Sequence, residues 1–127
     1  MQTDQISQLF EQLGQALSAG DLHKASTCWG VPALVLSDDG ATAVSDTREI
    51  EEFFSQAADW YHLQGIASTK PEIERVDMLS EKLAAVDVRW PSFDASGKEK
   101  SSERSHYIVQ LAEDGQVHIR VALAKTT

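Results

Sequence analysis

The side chains of this sequence that could move a proton lie at two places, an Asp-Asp-Gly tripeptide and a late alternating segment. Asp38 opens the tripeptide, and a carboxylate held against an apolar wall can act as a general acid or base. Ser105 and Tyr107 are two residues apart, so their hydroxyls share one face if this segment is a strand. These three residues are the candidates for acid–base catalysis. The structural alternative for Asp38 is a tight turn, which Asp-Gly sequences favour.

The sequence lacks the signatures of several other kinds of chemistry. It contains no Ser-His-Asp order, phosphate-binding loop or dinucleotide fingerprint. The four histidines include no i, i+4 pair, and a single cysteine, Cys28, cannot build a multi-cysteine zinc site. A cross-strand pair of His106 and His118 is the remaining metal candidate, but a surface or dimer role explains both residues better. The sequence therefore predicts no metal and no cofactor.

Length and charge narrow the class of protein. The chain has 127 residues and a mass of 14.0 kDa, which predicts a single domain over residues 1–127. Its 11 Lys and Arg against 20 Asp and Glu give a net charge of −9, which argues against nucleic acid or an anionic membrane as partner. The acidic N-terminus is unlike a signal peptide, and no apolar run reaches the ~20 residues of a membrane helix. With one cysteine, the default location is the cytoplasm.

The apolar residues of the first half recur at helical spacing. Gly20 is placed to end one helix as a C-cap, and Asp21 and Asp46 are placed to begin the next ones as N-caps. Pro32 ends the second helix. The pattern predicts three helices, at residues 4–19, 21–29 and 46–63.

The remaining segments predict strands joined by short turns. Pro71 indicates an edge or a bend, residues 91–100 form a polar loop, and the tail 125–127 is frayed. Short turns pair successive strands antiparallel, and helices early with strands late are typical of an α+β fold. The predicted strands are 33–37, 41–45, 68–79, 83–90, 103–111 and 116–124.

Several of these features occur together in a known superfamily. They are the Ala-Leu-Ser-Ala-Gly-Asp-Leu segment at 16–22, the hairpin at 38–40, the Ile-Glu-Glu-Phe-Phe segment at 50–54 and the closing strand pair. In this order they resemble the nuclear transport factor 2-like superfamily, which includes the ketosteroid isomerases and the small polyketide cyclases. The likeness covers nearly the whole chain. It implies a cone: three N-terminal helices packed in a strongly curved antiparallel sheet, with an open end that admits a small apolar molecule.

The catalytic groups that this resemblance would require are missing. Carried over from the isomerases, the tyrosine position falls on Leu13, the basic aspartate on Ser37 and the acidic aspartate near Ser105. The resemblance therefore favours a non-catalytic binding module or a dimerising accessory domain. The alternative is an isomerase, cyclase or dehydratase that acts on a small hydrophobic substrate, with Asp38 or the Ser105–Tyr107 pair handling protons. The sequence leaves open whether the protein is an enzyme.

The resemblance also implies which side chains face the interior of the cone. The interior is apolar and aromatic with a few hydroxyls, so an apolar ligand is expected rather than a cationic one. The alternative is that these side chains fill a small core and leave no cavity. Glu103 shares the phase of Ser105 near the mouth, where a general base or a solvated charge would lie. The predicted lining is Leu13, Leu17, Trp29, Ser37, Phe53, Phe54, Trp60, Val88, Trp90, Ser105, Tyr107, Ile119 and Val121.

Members of this superfamily usually dimerise through the outer face of the sheet. In this sequence that face carries both acidic and basic side chains, which could pair across a two-fold axis. A homodimer is therefore expected, and the small apolar molecule is the other predicted partner. The predicted dimer face consists of Asp87, Arg89, His106, Ile108, His118 and Arg120.

Overall fold

The computed structural model describes residues 1–125, so the predicted fraying of Thr126 and Thr127 lies outside the described residues. These residues form three helices and seven strands, and the strands belong to one sheet. The predicted α+β fold is confirmed. The elements are α1 (Thr3–Ala19), α2 (Leu22–Thr27), β1 (Trp29–Ser37), β2 (Gly40–Val44), α3 (Thr47–Leu63), β3 (Ser68–Thr69), β4 (Glu72–Met78), β5 (Leu83–Phe93), β6 (Glu99–Leu111) and β7 (Val117–Lys125).

The helix ends are set by local capping, as the sequence predicts. α1 ends at Gly20, whose φ of 70° is in the left-handed region that glycine adopts without strain. The Asp21 carboxylate accepts a hydrogen bond from the Lys24 backbone N–H at the start of α2. Asp46 does the same for Glu49 at the start of α3, over 2.9 Å. None of the helices within residues 1–125 combines the length and the apolarity needed to cross a membrane.

The predicted end of the second helix is wrong. α2 stops at Thr27, and Trp29 begins β1, where it pairs with Ile119 of β7. Pro32 lies inside β1 and does not end a helix. Pairing with a strand more than 80 residues away overrides the local helical pattern here.

The sheet has the strand order β2-β1-β7-β6-β5, and both β3 and β4 pair with β5. Every pairing is antiparallel except that of β1 with β7, which is parallel. The sheet is therefore mixed and not wholly antiparallel as predicted. The short-turn argument covers only strands adjacent in sequence, and β1 and β7 are at opposite ends of the chain.

The structure confirms the prediction made for Pro71 but not the one made for Pro91. Pro71 interrupts the predicted strand and separates β3 from β4, so the predicted bend is confirmed. The sequence predicts a loop at residues 91–100, but β5 continues through Pro91 to Phe93, and the loop shortens to the residues before Glu99. The Pro91 carbonyl is held on one side by the Thr69 hydroxyl over 3.0 Å.

The core lies between α1 and the sheet. Ile6 and Phe10 of α1 are fully buried, as are Val86, Val109 and Ile119 on the strands that α1 covers. This packing fixes the middle of α1 next to the aromatic side chains of β5 and β6, because Phe10 lies 4.9 Å from Tyr107 and 6.4 Å from Trp90 between ring centroids.

Candidate functional site

A cavity of about 190 Å³ lies between α1, α3 and the inner face of the sheet. One part of its wall is aromatic, formed by Trp29, Phe53, Phe54, Tyr61, Trp90 and Tyr107. A second part is aliphatic, formed by Leu13, Leu17, Val35, Ala57, Ala122 and Leu123. The polar side chains of Glu103 and Ser105 complete it.

The structure brings most of the predicted lining residues together around this cavity. The group contains residues from α1, β1, α3, β5 and β6, which are far apart in sequence. Its members are Leu13, Leu17, Trp29, Phe53, Phe54, Trp90, Ser105 and Tyr107.

Four other predicted lining residues lie elsewhere. Ser37 is exposed at the end of β1, where its hydroxyl accepts a hydrogen bond from the Asp39 backbone N–H. Trp60 is 46% exposed on α3, and its ring contacts Tyr61. Val88 and Ile119 do face inward, but both are fully buried in the core away from the cavity. These positions correct the predicted pocket.

Val121 lies on the outer face of the sheet and not on the predicted inner face, because of a β-bulge. Strict alternation along β7 places Val121 inward, next to Ile119. In the structure the register between β6 and β7 shifts after Ile119, so Val121 pairs with Ile108 on the outer face. Ala122 takes the inward place, opposite Tyr107, and lines the cavity.

Small side chains leave room for the cavity. Ala122 lies between Tyr107 of β6 and Val35 of β1, where a larger residue would fill the space. Ala57 of α3 also lines the cavity. Because of the bulge, strict alternation along β7 places Ala122 on the outer face and does not predict its position in the cavity. Ala57 and Tyr61 were detectable, because both continue the helical spacing that includes Phe54.

Three polar side chains follow one another along the inward face of β6. Glu103, Ser105 and Tyr107 alternate with residues of the outer face, and Glu103 lies directly across from Trp90 of β5. The Trp90 indole Nε1 donates a hydrogen bond of 2.9 Å to the Tyr107 hydroxyl oxygen. One wall of the cavity therefore carries a row of a carboxylate and two hydroxyl groups.

The two tyrosines that line the cavity, Tyr61 and Tyr107, are neutral at neutral pH because their pKa values are raised. Burial raises the pKa of Tyr107 to about 12, and the hydrogen bonds from Ser105 and Trp90 oppose that rise only in part. Burial also raises the pKa of Tyr61, with a further contribution from the negative charge of Glu103. Since the indole of Trp90 already donates to its oxygen, the Tyr107 hydroxyl keeps its own proton to donate.

Glu103 is the charged group at this site, and it is exposed toward the open side of the cavity. Among residues 1–123, whose side chains the structure describes, no Lys, Arg or His lines the cavity or forms an ion pair with Glu103. The same portion of the chain holds no cluster of His, Cys, Asp and Glu able to ligate a metal ion.

Asp38 is not at the cavity. It lies in the exposed turn between β1 and β2, as the structural alternative for the Asp-Gly sequence predicts. The structure therefore does not bring Asp38 together with Ser105 and Tyr107, and only the latter two candidates share a site.

The residues of the predicted dimer face lie on the outer face of the sheet, but their charges are paired within one chain. Arg89 bridges Glu72 over 2.6 Å and Glu99 over 2.9 Å. Asp87 and His106, which are cross-strand neighbours, contact each other. These charges therefore already have partners inside one chain, and their pairing across a two-fold axis stays a prediction.

The other members of that face are held by strand β7 and its neighbours. The Arg120 guanidinium donates a hydrogen bond of 2.8 Å to the Pro32 carbonyl of β1. His118 lies 3.7 Å from the Asp114 carboxylate. Ile108 is half-buried in the middle of the face. Whether this face joins two copies stays a prediction.

Solved structures with the same fold come from several bacteria. A domain of unknown function with a cystatin-like fold from Nostoc punctiforme has a TM-score of 0.79 at 20% identity, covering 98% of this chain and 76% of that chain. An NTF-2-like protein of unknown function from Shewanella oneidensis has a TM-score of 0.75 at 20% identity, covering 98% of both chains. A ketosteroid isomerase-like protein from Erwinia carotovora has a TM-score of 0.66 at 12% identity, covering 91% and 88%.

The sequence itself matches one family model over almost its whole length. No functionally curated protein gives a match. The family is described as NTF2-like protein (DUF6841), and its model matches residues 3–127. The resemblance to the nuclear transport factor 2-like superfamily is therefore confirmed, and the chain belongs to the NTF2-like DUF6841 family.

Proposed function

We propose that this protein binds one small, largely apolar organic molecule in the cavity between α1, α3 and the sheet. The observation that carries the proposal is the chemistry of the cavity wall, which is aromatic and aliphatic on most sides and polar along β6. Sites for small molecules are typically apolar with a few placed polar groups that fix the orientation of the ligand.

The volume of the cavity limits the size of the ligand. An engineered protein cavity of about 150 Å³ holds one benzene molecule. The cavity here, at about 190 Å³, suits a single ring with a short substituent. A rigid four-ring skeleton would leave most of its surface outside. The proposal is therefore a one-ring ligand, smaller than a steroid.

The polar wall supplies an anchor for one acceptor atom of the ligand. The Tyr107 hydroxyl is held in place by Trp90 and retains its proton at neutral pH because its pKa is raised to about 12. A ligand carbonyl oxygen could accept that proton in a hydrogen bond, with the Ser105 hydroxyl beside it. An aromatic ketone such as acetophenone combines one ring with such an oxygen.

Filling the cavity tests the proposal. The change is Ala122→Leu, which adds volume inside the cavity, and the matched control is Val121→Leu, the next residue on the opposite face. Acetophenone is expected to raise the melting temperature of the wild type and of the control but not of Ala122→Leu. No stabilisation of the wild type, or equal stabilisation of all three proteins, would contradict the proposal.

A second candidate function is acid–base proton transfer on a small hydrophobic substrate. It is favoured by the placement of a carboxylate, Glu103, and a protonated phenol, Tyr107, on the same inward face of β6. Glu103 would take a carbon-bound proton next to a carbonyl group, and Tyr107 would donate a hydrogen bond to the carbonyl oxygen.

Hydrogen exchange separates the two functions. Acetophenone is incubated in D₂O with wild type or with Glu103→Gln, and proton NMR follows the loss of its methyl signal. Exchange that depends on Glu103 identifies an enzyme. Binding without exchange above the buffer rate identifies a binding module, which is the function we favour because the aspartates of the isomerases are missing.

We also propose that the protein acts as a homodimer through the outer face of the sheet, in the cytoplasm. Ile108 and Val121 pair at the centre of that face and are half-buried in one chain, which supports further burial by a partner. The free thiol of Cys28 is compatible with the reducing conditions of the cytoplasm.

A further inference from the structure

The cavity has an electrostatic character that the sequence pattern does not reveal. Its wall contains six aromatic rings, and the face of an aromatic ring carries partial negative charge that attracts a cation. The rings are those of Trp29, Phe53, Phe54, Tyr61, Trp90 and Tyr107. An aromatic enclosure of this kind is a known solution for binding substituted ammonium groups.

Glu103 adds a formal negative charge to the same enclosure. It lines the cavity and lies across the β5–β6 pairing from Trp90, so its carboxylate and the indole belong to one wall. Both neighbouring phenols, Tyr61 and Tyr107, stay neutral at neutral pH because their pKa values are raised. The carboxylate is thus the charge that a ligand would meet.

Glu103 also differs from the acidic residues on the outer face of the sheet. Arg89 pairs there with Glu72 and Glu99. Arg104, the residue next to Glu103, points to the other face and binds Glu74 over 2.9 Å. Within residues 1–123 no cationic side chain takes the corresponding place beside Glu103. The nearest arginine in sequence is already paired elsewhere.

We propose that the ligand of this cavity is a small organic cation, with one apolar ring held among the aromatic side chains and one ammonium group next to Glu103. This inference rests on the proposed binding function and names its ligand class. The net charge of −9 works in the same direction, because it raises the local concentration of cations around the protein. The proposed cation takes the place of the neutral apolar ligand that the sequence predicts.

A pair of isosteric probes tests the inference. Phenyltrimethylammonium and tert-butylbenzene have the same shape and differ by one positive charge. We expect the cation to bind the wild type about tenfold more tightly, which is the effect of a partly exposed cation–π contact combined with one carboxylate. The dissociation constants are measured by titration with detection of the indole signals in NMR spectra. Added salt is expected to weaken the binding of the cation only, because Glu103 is exposed.

Three variants assign the preference to its source. Glu103→Gln is expected to reduce the preference for the cation over tert-butylbenzene to about twofold. Glu113→Gln removes the same charge from an exposed turn and is expected to behave as the wild type. Phe53→Leu keeps a half-exposed apolar side chain at the cavity but removes a ring, and the preference is expected to fall by up to about twofold.

The possible results separate this inference from the proposed function. Equal binding of both probes, or tighter binding of tert-butylbenzene, overturns the inference and leaves the proposed function in place. Binding of neither probe nor acetophenone overturns both. A preference for the cation that stays near tenfold in Glu103→Gln also overturns the inference, because the charge next to the ammonium would then not be Glu103.

Discussion

The hydrogen bond between Trp90 and Tyr107 determines the chemistry of the polar wall. It fixes the position of a phenol that lies only 8% exposed among aromatic rings. A buried polar group without a partner is costly, so each of these two side chains stabilises the placement of the other. The sequence predicts that Trp90 and Tyr107 share a face, but their contact depends on the register of β5 and β6.

Removing the Tyr107 hydroxyl is expected to destabilise the fold in a pH-dependent way. Tyr107→Phe leaves the Trp90 N–H unpaired and costs about 1–3 kcal/mol at neutral pH. The wild-type pKa is raised from 10.0 to about 12 in the fold, so the wild type loses stability as pH rises through that window. Denaturant unfolding at increasing alkaline pH is expected to show the two proteins converging. A constant difference between them would contradict the assigned pKa.

The thiol of Cys28 is expected to be unreactive in the folded protein. Cys28 is 2% exposed, and burial raises its pKa to about 11, so little thiolate is present at mildly alkaline pH. A colorimetric thiol reagent is expected to react slowly with the native protein and rapidly once denaturant is added. Rapid reaction without denaturant would show that the thiol is accessible.

Among the contacts between elements, α1 lies close to the segment between β3 and β4 at Gly14. A Cβ at this position would lie 2.8 Å from the Pro71 side chain, just before β4. In an exposed helix, replacing glycine by alanine stabilises by up to about 1 kcal/mol. Here the contact is expected to reverse the sign, because overpacking costs about 1–3 kcal/mol.

Urea unfolding of two variants measures this contact. Gly14→Ala is expected to be less stable than the wild type, whereas Gln15→Ala, at an exposed position of the same helix, is expected to change little. If Gly14→Ala were more stable than the wild type, α1 would not approach Pro71 as closely as described.

The elements also show which parts of the site the sequence could predict. Gly20, Asp21 and Asp46 act through neighbouring residues, so local reasoning placed the helix ends correctly at these caps. The inward face of β6 followed from alternation alone. The bulge that turns Val121 outward and Ala122 inward depends on the pairing of β7, which no local pattern contains.

Long-range pairing explains the other errors. β1 begins at Trp29 because it pairs with β7, and this parallel pairing could not be deduced from turn lengths. Trp60 continues the apolar stripe of α3, yet the sheet covers the face that carries Phe54 and leaves Trp60 half-exposed. No local pattern decides which side of a wide apolar stripe the sheet covers.

For the whole molecule, assembly is expected to depend on the outer face of the sheet. Ile108→Arg places a charge in the middle of this face and is expected to convert a dimer into a monomer of 14.0 kDa in sedimentation experiments. Leu63→Arg, at an 81% exposed position of α3, is the matched control and is expected to remain dimeric. A wild-type monomer at high concentration would contradict the proposed dimer.

The net negative charge of the molecule and the Glu103 carboxylate at the cavity have the same sign. The outer face of the sheet neutralises its charges internally, through pairs such as those of Arg89. Glu103 is left without such a partner within residues 1–123, so the acidic character of the chain extends to the mouth of the cavity. Net charge alone could not have located this carboxylate.

Intermolecular nuclear Overhauser effects show whether a one-ring molecule occupies the cavity. Acetophenone bound to the protein is expected to show them to the Ala122 methyl group and to the ring protons of Phe54 and Trp90. Effects to Val121 on the outer face, or none to the protein at ligand saturation, would contradict binding in the cavity.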